Sequence, residues 1–163
     1  MDPVRIGNFI TVPLDITLTM DTAAYASGDV LFNPTAIPLP RMPVDNPLAL
    51  RGKIVSVQVL DEDNQGQPMD LVFLRSNPGN LETVNAAVSI TDANAREIIG
   101  YVPVSSYLAL INSQQAFPSF DPIPFEVAAA NLYVAGIARG APTYTASGVR
   151  LRIGIEFANL EQY

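Results

Sequence analysis

In the stretch Val149-Arg150-Leu151-Arg152-Ile153-Gly154-Ile155-Glu156-Phe157, every odd-numbered position is apolar, while the even ones are Arg, Arg, Gly and Glu. Successive side chains of an extended strand point to opposite faces, so this alternation predicts a strand with one buried face. A helix would spread the same apolar residues around its whole circumference. Near the start of the chain, Ile16, Leu18 and Met20 alternate in the same way with Thr17 and Thr19.

The period of two recurs through the middle. Lys53 to Leu60 places Val55, Val57 and Val59 on one face, and Leu71 to Leu74 answers it across the polar run Asp61-Glu62-Asp63-Asn64-Gln65-Gly66-Gln67-Pro68. The pair reads as a hairpin with a long loop. Ile98 to Val104 and Leu132 to Ile137 are rich in β-branched and aromatic residues and add two strands; Val30 to Phe32 and Phe125 to Val127 are shorter candidates. One segment is helical in character: Thr91-Asp92-Ala93-Asn94-Ala95-Arg96-Glu97 offers a hydroxyl N-cap and an acid in the first turn, with Gly100 as a stop. The expectation is an all-β chain, a jelly-roll-like β-sandwich of about eight strands with one short helix. It divides into an N-terminal arm, residues 1–12, and a single domain, residues 13–163. The 14 prolines concentrate in Asn33 to Pro47 and Phe117 to Pro124. Proline cannot donate to a β-ladder, so both stretches are expected to be irregular surface connections.

Composition removes whole classes of function. The chain of 163 residues has no cysteine and no histidine. That excludes disulfides, thiolate nucleophiles, Cys/His metal sites and triads that use an imidazole base. With 9 basic against 16 acidic residues the net charge is −7, and Lys53 is the only lysine. Phosphate backbones and anionic lipid surfaces are bound by clustered cations, so neither nucleic acid nor membrane is an expected partner. The first residues show no signal-peptide pattern. The longest apolar stretch, Val127 to Ala138, is far short of the roughly 20 residues a bilayer demands and reads as a buried strand. Charged residues are only 15% of the chain, against roughly 25% in typical soluble domains. Either a large core or a surface buried against a partner accounts for the deficit.

Candidate sites are few. Asp61-Glu62-Asp63-Asn64-Gln65-Gly66 has the oxygen spacing that opens a calcium loop, but the closing bidentate glutamate is replaced by Val72. A solvated turn is the competing reading. Asp15, Asp21, Asp29, Asp45, Asp121 and Glu126 supply carboxylates without a motif that pairs them for glycoside hydrolysis. No enzyme, metal or cofactor is expected. Tyr144, in the turn before the last strand, is either an exposed binding anchor or a ring packed on its own loop. Val4, Ile6, Phe9 and Ile10 in the N-terminal arm either form an edge strand of the same sheet or add to a neighbouring chain. These five residues are the candidate partner-binding set.

Met20-Asp21-Thr22-Ala23-Ala24-Tyr25-Ala26-Ser27-Gly28-Asp29-Val30 resembles the opening of small virion proteins of tailed bacteriophages. Segments similar to Gly52–Asp61, Asp70–Leu74, Thr91-Asp92-Ala93 and Ile99–Pro103 follow in order. The likeness covers about residues 15 to 157; the proline-rich insert at Asn33 to Pro47 is longer than it leads one to expect, and residues 105 to 127 have no counterpart in it. It implies a capsid decoration (cement) protein on the outside of a phage head, with the major capsid protein as partner and a homotrimer as its form. A receptor- or glycan-binding module of a phage fibre is the alternative.

Overall fold

A computed structural model describes residues 9–39 and 50–157. In chain order its elements are β1 (Phe9–Thr17), β2 (Val30–Pro38), β3 (Leu50–Asp61), β4 (Met69–Leu74), α1 (Asp92–Ala95), β5 (Ile98–Val104), β6 (Leu108–Leu110), β7 (Ser113–Ala116), β8 (Ile123–Val127), β9 (Asn131–Ala138) and β10 (Val149–Phe157). The chain is an all-β sandwich of two antiparallel sheets. One has the order β1-β10-β3-β7-β6, with β8 also pairing β3; the other has the order β2-β9-β4-β5.

β10 runs as its alternation predicts. Val149, Leu151, Ile153 and Ile155 are buried, whereas Arg150, Arg152 and Glu156 are exposed. Phe157 is half-buried and meets Phe125 edge-on, with ring centroids 6.2 Å apart. β10 lies between β1 and β3, so both of its edges are paired. The inward side chains of both sheets form one core in which Leu18, Leu31, Ile54, Leu71, Phe73, Leu132, Val134 and Ile153 are essentially inaccessible. Complete burial of such a side chain contributes roughly 1.5–3 kcal/mol.

A second, smaller core lies on the other face of the four-stranded sheet. Val30, Val72, Leu74 and Ala135 point away from the sandwich interior and are covered by Leu81, with Val88 and Ile90 beside it. The connection from β4 to β5 thus wraps one outer face, and the Asn33 side chain holds it by bonding the Leu81 N–H and the Glu82 carbonyl, both at 2.9 Å. α1 sits in this connection with Thr91 as its N-cap.

Several expectations are corrected. β3 and β4 do not form a hairpin: they belong to different sheets. β3 is paired along one side by β10 and along the other by β7 and β8, so no free edge remains for β4. The polar run is therefore a crossing between sheets. Val55 does not share a face with Val57 and Val59. A bulge opposite Gly154 and Ile155 puts Ile54 inward in its place. Among the described residues there are ten strands, and Leu108–Leu110 and Ser113–Ala116 form a short hairpin that the periodicity did not mark. Asn33 to Pro38 is not irregular but part of β2. Pro34 falls where the β2–β9 register shifts, on an edge strand, which is where a missing N–H is tolerated. Phe9 to Val12 are not an arm outside the sheet; they pair with Glu156 to Ile153 of β10.

The segment that carries the family resemblance is a structural corner. Gly28 adopts a φ of +100°, open to glycine, and the Asp29 carboxylate accepts the Ala26 N–H at 2.7 Å. The Tyr25 hydroxyl donates to the Leu31 carbonyl at 3.2 Å.

Candidate functional site

Of the five residues that the sequence singled out, Phe9, Ile10 and Tyr144 lie among the described residues. Tyr144 is 2% exposed and belongs to the main core, so it packs on its own fold and offers no surface to a partner. Its hydroxyl has no hydrogen-bond partner among the described residues. Burial, together with Tyr107 and Asp61 nearby, pushes its pKa far above the ordinary phenol value. Phe9 and Ile10 lie opposite Glu156 and Ile155 in the β1–β10 ladder. Val4 and Ile6 lie outside the described residues.

The acidic loop is occupied by its own backbone. Asp61 is fully buried rather than solvated. Its carboxylate accepts the N–H groups of Asp63 at 3.1 Å, Gln65 at 2.8 Å and Gly66 at 2.7 Å. Asp63 in turn accepts the Thr145 N–H at 2.6 Å and its hydroxyl, pinning this loop to the turn before β10. A carboxylate saturated by amide donors is a chain clamp. Among the described residues no three His, Cys, Asp or Glu side chains are grouped to hold a metal. Two of the other candidate carboxylates have local tasks as well: Asp21 accepts the Ala23 N–H at 2.9 Å, and Glu126 pairs with Arg51 at 3.1 Å. Glu97 is held below the usual carboxylate range by hydrogen bonds from Arg75 and Ser76.

The exposed face of the six-stranded sheet is polar and of mixed charge. Arg150 pairs with Glu62 at 3.1 Å, and Arg152 donates to Gln58 at 3.3 Å. At one end of this face a groove of ≈ 560 Å³ is lined by Phe125, Phe157, Pro124 and Lys53, with the Arg51–Glu126 pair among its walls.

Among the described residues, the large apolar side chains most open to solvent lie elsewhere. Leu108 is 59% exposed, Leu110 41%, Ile111 95%, Phe117 61% and Tyr101 61%. Leu108 and Leu110 lie opposite Gln115 and Ser113 on one face of the β6–β7 hairpin, and Ile111 is in its turn. β6 ends one sheet, and β5, which carries Tyr101, ends the other. A groove of ≈ 530 Å³ runs beside the hairpin, lined by Pro103, Tyr107, Leu108, Gln115 and Phe117. Tyr107 is anchored there by donating to the Gln67 carbonyl at 3.0 Å. From Ile98 to Phe120 the sequence contains no charged residue. The stretch that carries these side chains is therefore itself without charge in a chain of net charge −7.

Sequence reading by strand periodicity missed this edge, because β6 is only three residues long and all three are exposed. The absence of charge over so long a run was the available signal. No protein-family model matches the chain, and no curated protein sequence matches it.

Proposed function

We propose that the chain is a structural virion protein, a capsid decoration (cement) protein that binds the major capsid protein on the outside of a bacteriophage head and stabilises the shell. It acts by binding, as a homotrimer, and performs no chemistry. The observation that carries this reading is the exposure of Leu108, Leu110, Ile111 and Phe117 on and beside the β6–β7 hairpin, in a stretch of sequence without charge. Free monomers seldom leave such side chains grouped in water, and grouped ones mark assembly surfaces. The succession of segments from Met20 to Pro103 that resembles phage decoration proteins supports the same reading. So does the acidity of the remaining surface, which suits basic patches on a shell and repels nucleic acid.

The test is to mix the purified protein with phage heads that lack it. Co-sedimentation, regular density on the outer shell and a higher temperature of genome release are expected. Protein that stays in the supernatant, or density confined to the tail, overturns the reading. The fibre module has one observation in its favour, the exposed rings of Tyr101 and Phe117, since aromatic faces also bind sugars. Saturable glycan binding that Phe117→Ala abolishes would favour it.

A further inference from the structure

Where β10, β3 and β7 lie side by side, the outer face of the six-stranded sheet holds a small pocket of ≈ 110 Å³ whose walls include Arg150, Arg152, Gln58, Leu60 and Gln115. Register brings these residues together. Arg150, Leu60 and Gln115 form one row across the three strands, and Arg152 stands opposite Gln58 in the neighbouring row. A guanidinium can only donate, so the Gln58 side-chain oxygen faces Arg152 and accepts its N–H at 3.3 Å. That turns the Gln58 amide nitrogen to Gln115, whose side-chain oxygen accepts from it at 3.2 Å. Both amide oxygens are thereby engaged. Among the described residues, the Gln115 amide nitrogen and the other N–H groups of Arg152 have no acceptor, so the pocket is left with donors to offer.

Charge and size decide what such donors take. Arg150 pairs with Glu62 at 3.1 Å, and Arg152 has no carboxylate beside it among the described residues, so the two guanidiniums keep one uncompensated positive charge. A carboxylate balances that charge. A phosphate group, which carries up to about two negative charges at neutral pH, would leave an excess beside Glu62 in a chain of net charge −7. Arginine also grips carboxylates through paired N–H groups. The pocket is far smaller than the roughly 300 Å³ that encloses a whole small molecule. It has room for the end of a side chain, carried by a larger partner that rests on the sheet face around it.

We propose that this pocket is a carboxylate-binding site, and that within the assembly role given above it receives an aspartate or glutamate side chain of the protein partner. Arg152 and Gln115 hold the carboxylate, and Leu60 packs beneath its aliphatic stem. The identity of the partner rests on the decoration reading; the chemistry of the pocket does not.

Titration of the intact chain with sodium acetate tests the chemistry, followed by NMR at the arginine Nε–H and glutamine amide signals with chloride holding the ionic strength constant. Acetate should shift the Arg152 and Gln115 signals saturably, and inorganic phosphate should bind more weakly. Gln115→Glu keeps the oxygen that Gln58 bonds and replaces the free donor with a negative charge. It should weaken acetate binding about tenfold or more, the scale of one hydrogen bond to a charged group. Arg152→Gln should do the same, and the thermal transition should stay nearly unchanged in both variants because neither side chain belongs to the core. Acetate shifts no larger than those caused by chloride overturn the site. So does acetate binding that both variants leave intact, or tighter binding of phosphate at the same residues. Phage heads that lack the protein test the partner: Arg152→Gln should need about tenfold more protein for equal decoration. Equal decoration by this variant at the same concentration overturns the partner assignment. Failure of the intact chain to decorate heads at all overturns the decoration reading and leaves the acetate result standing.

Discussion

Phe32 and Gly136 face each other across the β2–β9 ladder, and the phenyl ring occupies the space a side chain at 136 would need. A Cβ built on Gly136 would fall within 3 Å of three ring carbons. The glycine is there for the ring, and the ring is 1% exposed at the heart of the core. Gly136→Ala should therefore displace Phe32 and cost about 1–3 kcal/mol, the usual penalty for overpacking. Chemical denaturation of Gly136→Ala, Phe32→Leu and the double variant is the measurement. The double variant should be clearly more stable than the sum of the single losses allows; strict additivity would mean that the two residues are not coupled.

Register in the last strand separates neighbours sharply. Ile153 is fully buried, while Arg152 is exposed and, among the described residues, its side chain bonds that of Gln58. Ile153→Ala should lose about 2–5 kcal/mol, and Arg152→Ser should stay within about 0.5 kcal/mol of wild type. Similar losses at the two positions would contradict the register.

The clamp at Asp61 is the largest single polar element of the crossing between sheets. Replacing it with alanine leaves three partly buried N–H groups without their acceptor, and such a donor costs less than the roughly 1–3 kcal/mol of one that water cannot reach. Asp61→Ala should therefore lose about 1–3 kcal/mol in all and loosen the turn that holds Thr145. Hydrogen exchange should quicken at Gln65, Gly66 and Thr145 first. Unchanged protection at these amides would rule out the clamp.

Buried phenols set the alkaline limit. Burial raises the pKa values of Tyr144, Tyr107 and Tyr25 in the folded chain above the unfolded value. A raised folded pKa gives stability that is complete below the unfolded pKa, near 10, and is lost as the pH climbs past it. Thermal transitions should hold steady up to about pH 10 and fall beyond. Tyr144→Phe should soften that fall. At neutral pH it should be neutral or stabilising by about 1 kcal/mol, since it removes a hydroxyl with no partner; a clear loss would show that the hydroxyl is engaged. At the acid end the sign reverses. Glu97, with its lowered pKa, lends stability at neutral pH that fades as the pH falls through that lowered value.

Truncation tests the first strand. Removing residues 1–12 takes away the partners of Glu156 to Ile153 and should lower the thermal transition measurably. A transition equal to that of the intact chain would show that the β1–β10 pairing at Phe9 to Val12 adds nothing.

Local sequence was sufficient wherever one face is wet and the other dry. The alternation from Val149 to Phe157 foretold both the strand and its buried side, because a period of two has only one such solution. Thr91 foretold the start of α1, because capping depends on residues three apart. The folding partners of β3 were not legible in this way. Its alternation fits any neighbour, and only the arrival of β10, β7 and β8 on its two edges excludes β4. The fates of Asp61 and Tyr144 were equally non-local. An acidic turn looks solvated until another loop closes over it, and a tyrosine in a turn looks exposed until the sandwich swallows the ring. The uncharged edge is the remaining case: the residues from Ile98 to Phe120 are plain in the sequence, but that Leu108, Ile111 and Phe117 stand in solvent depends on which strands end the two sheets.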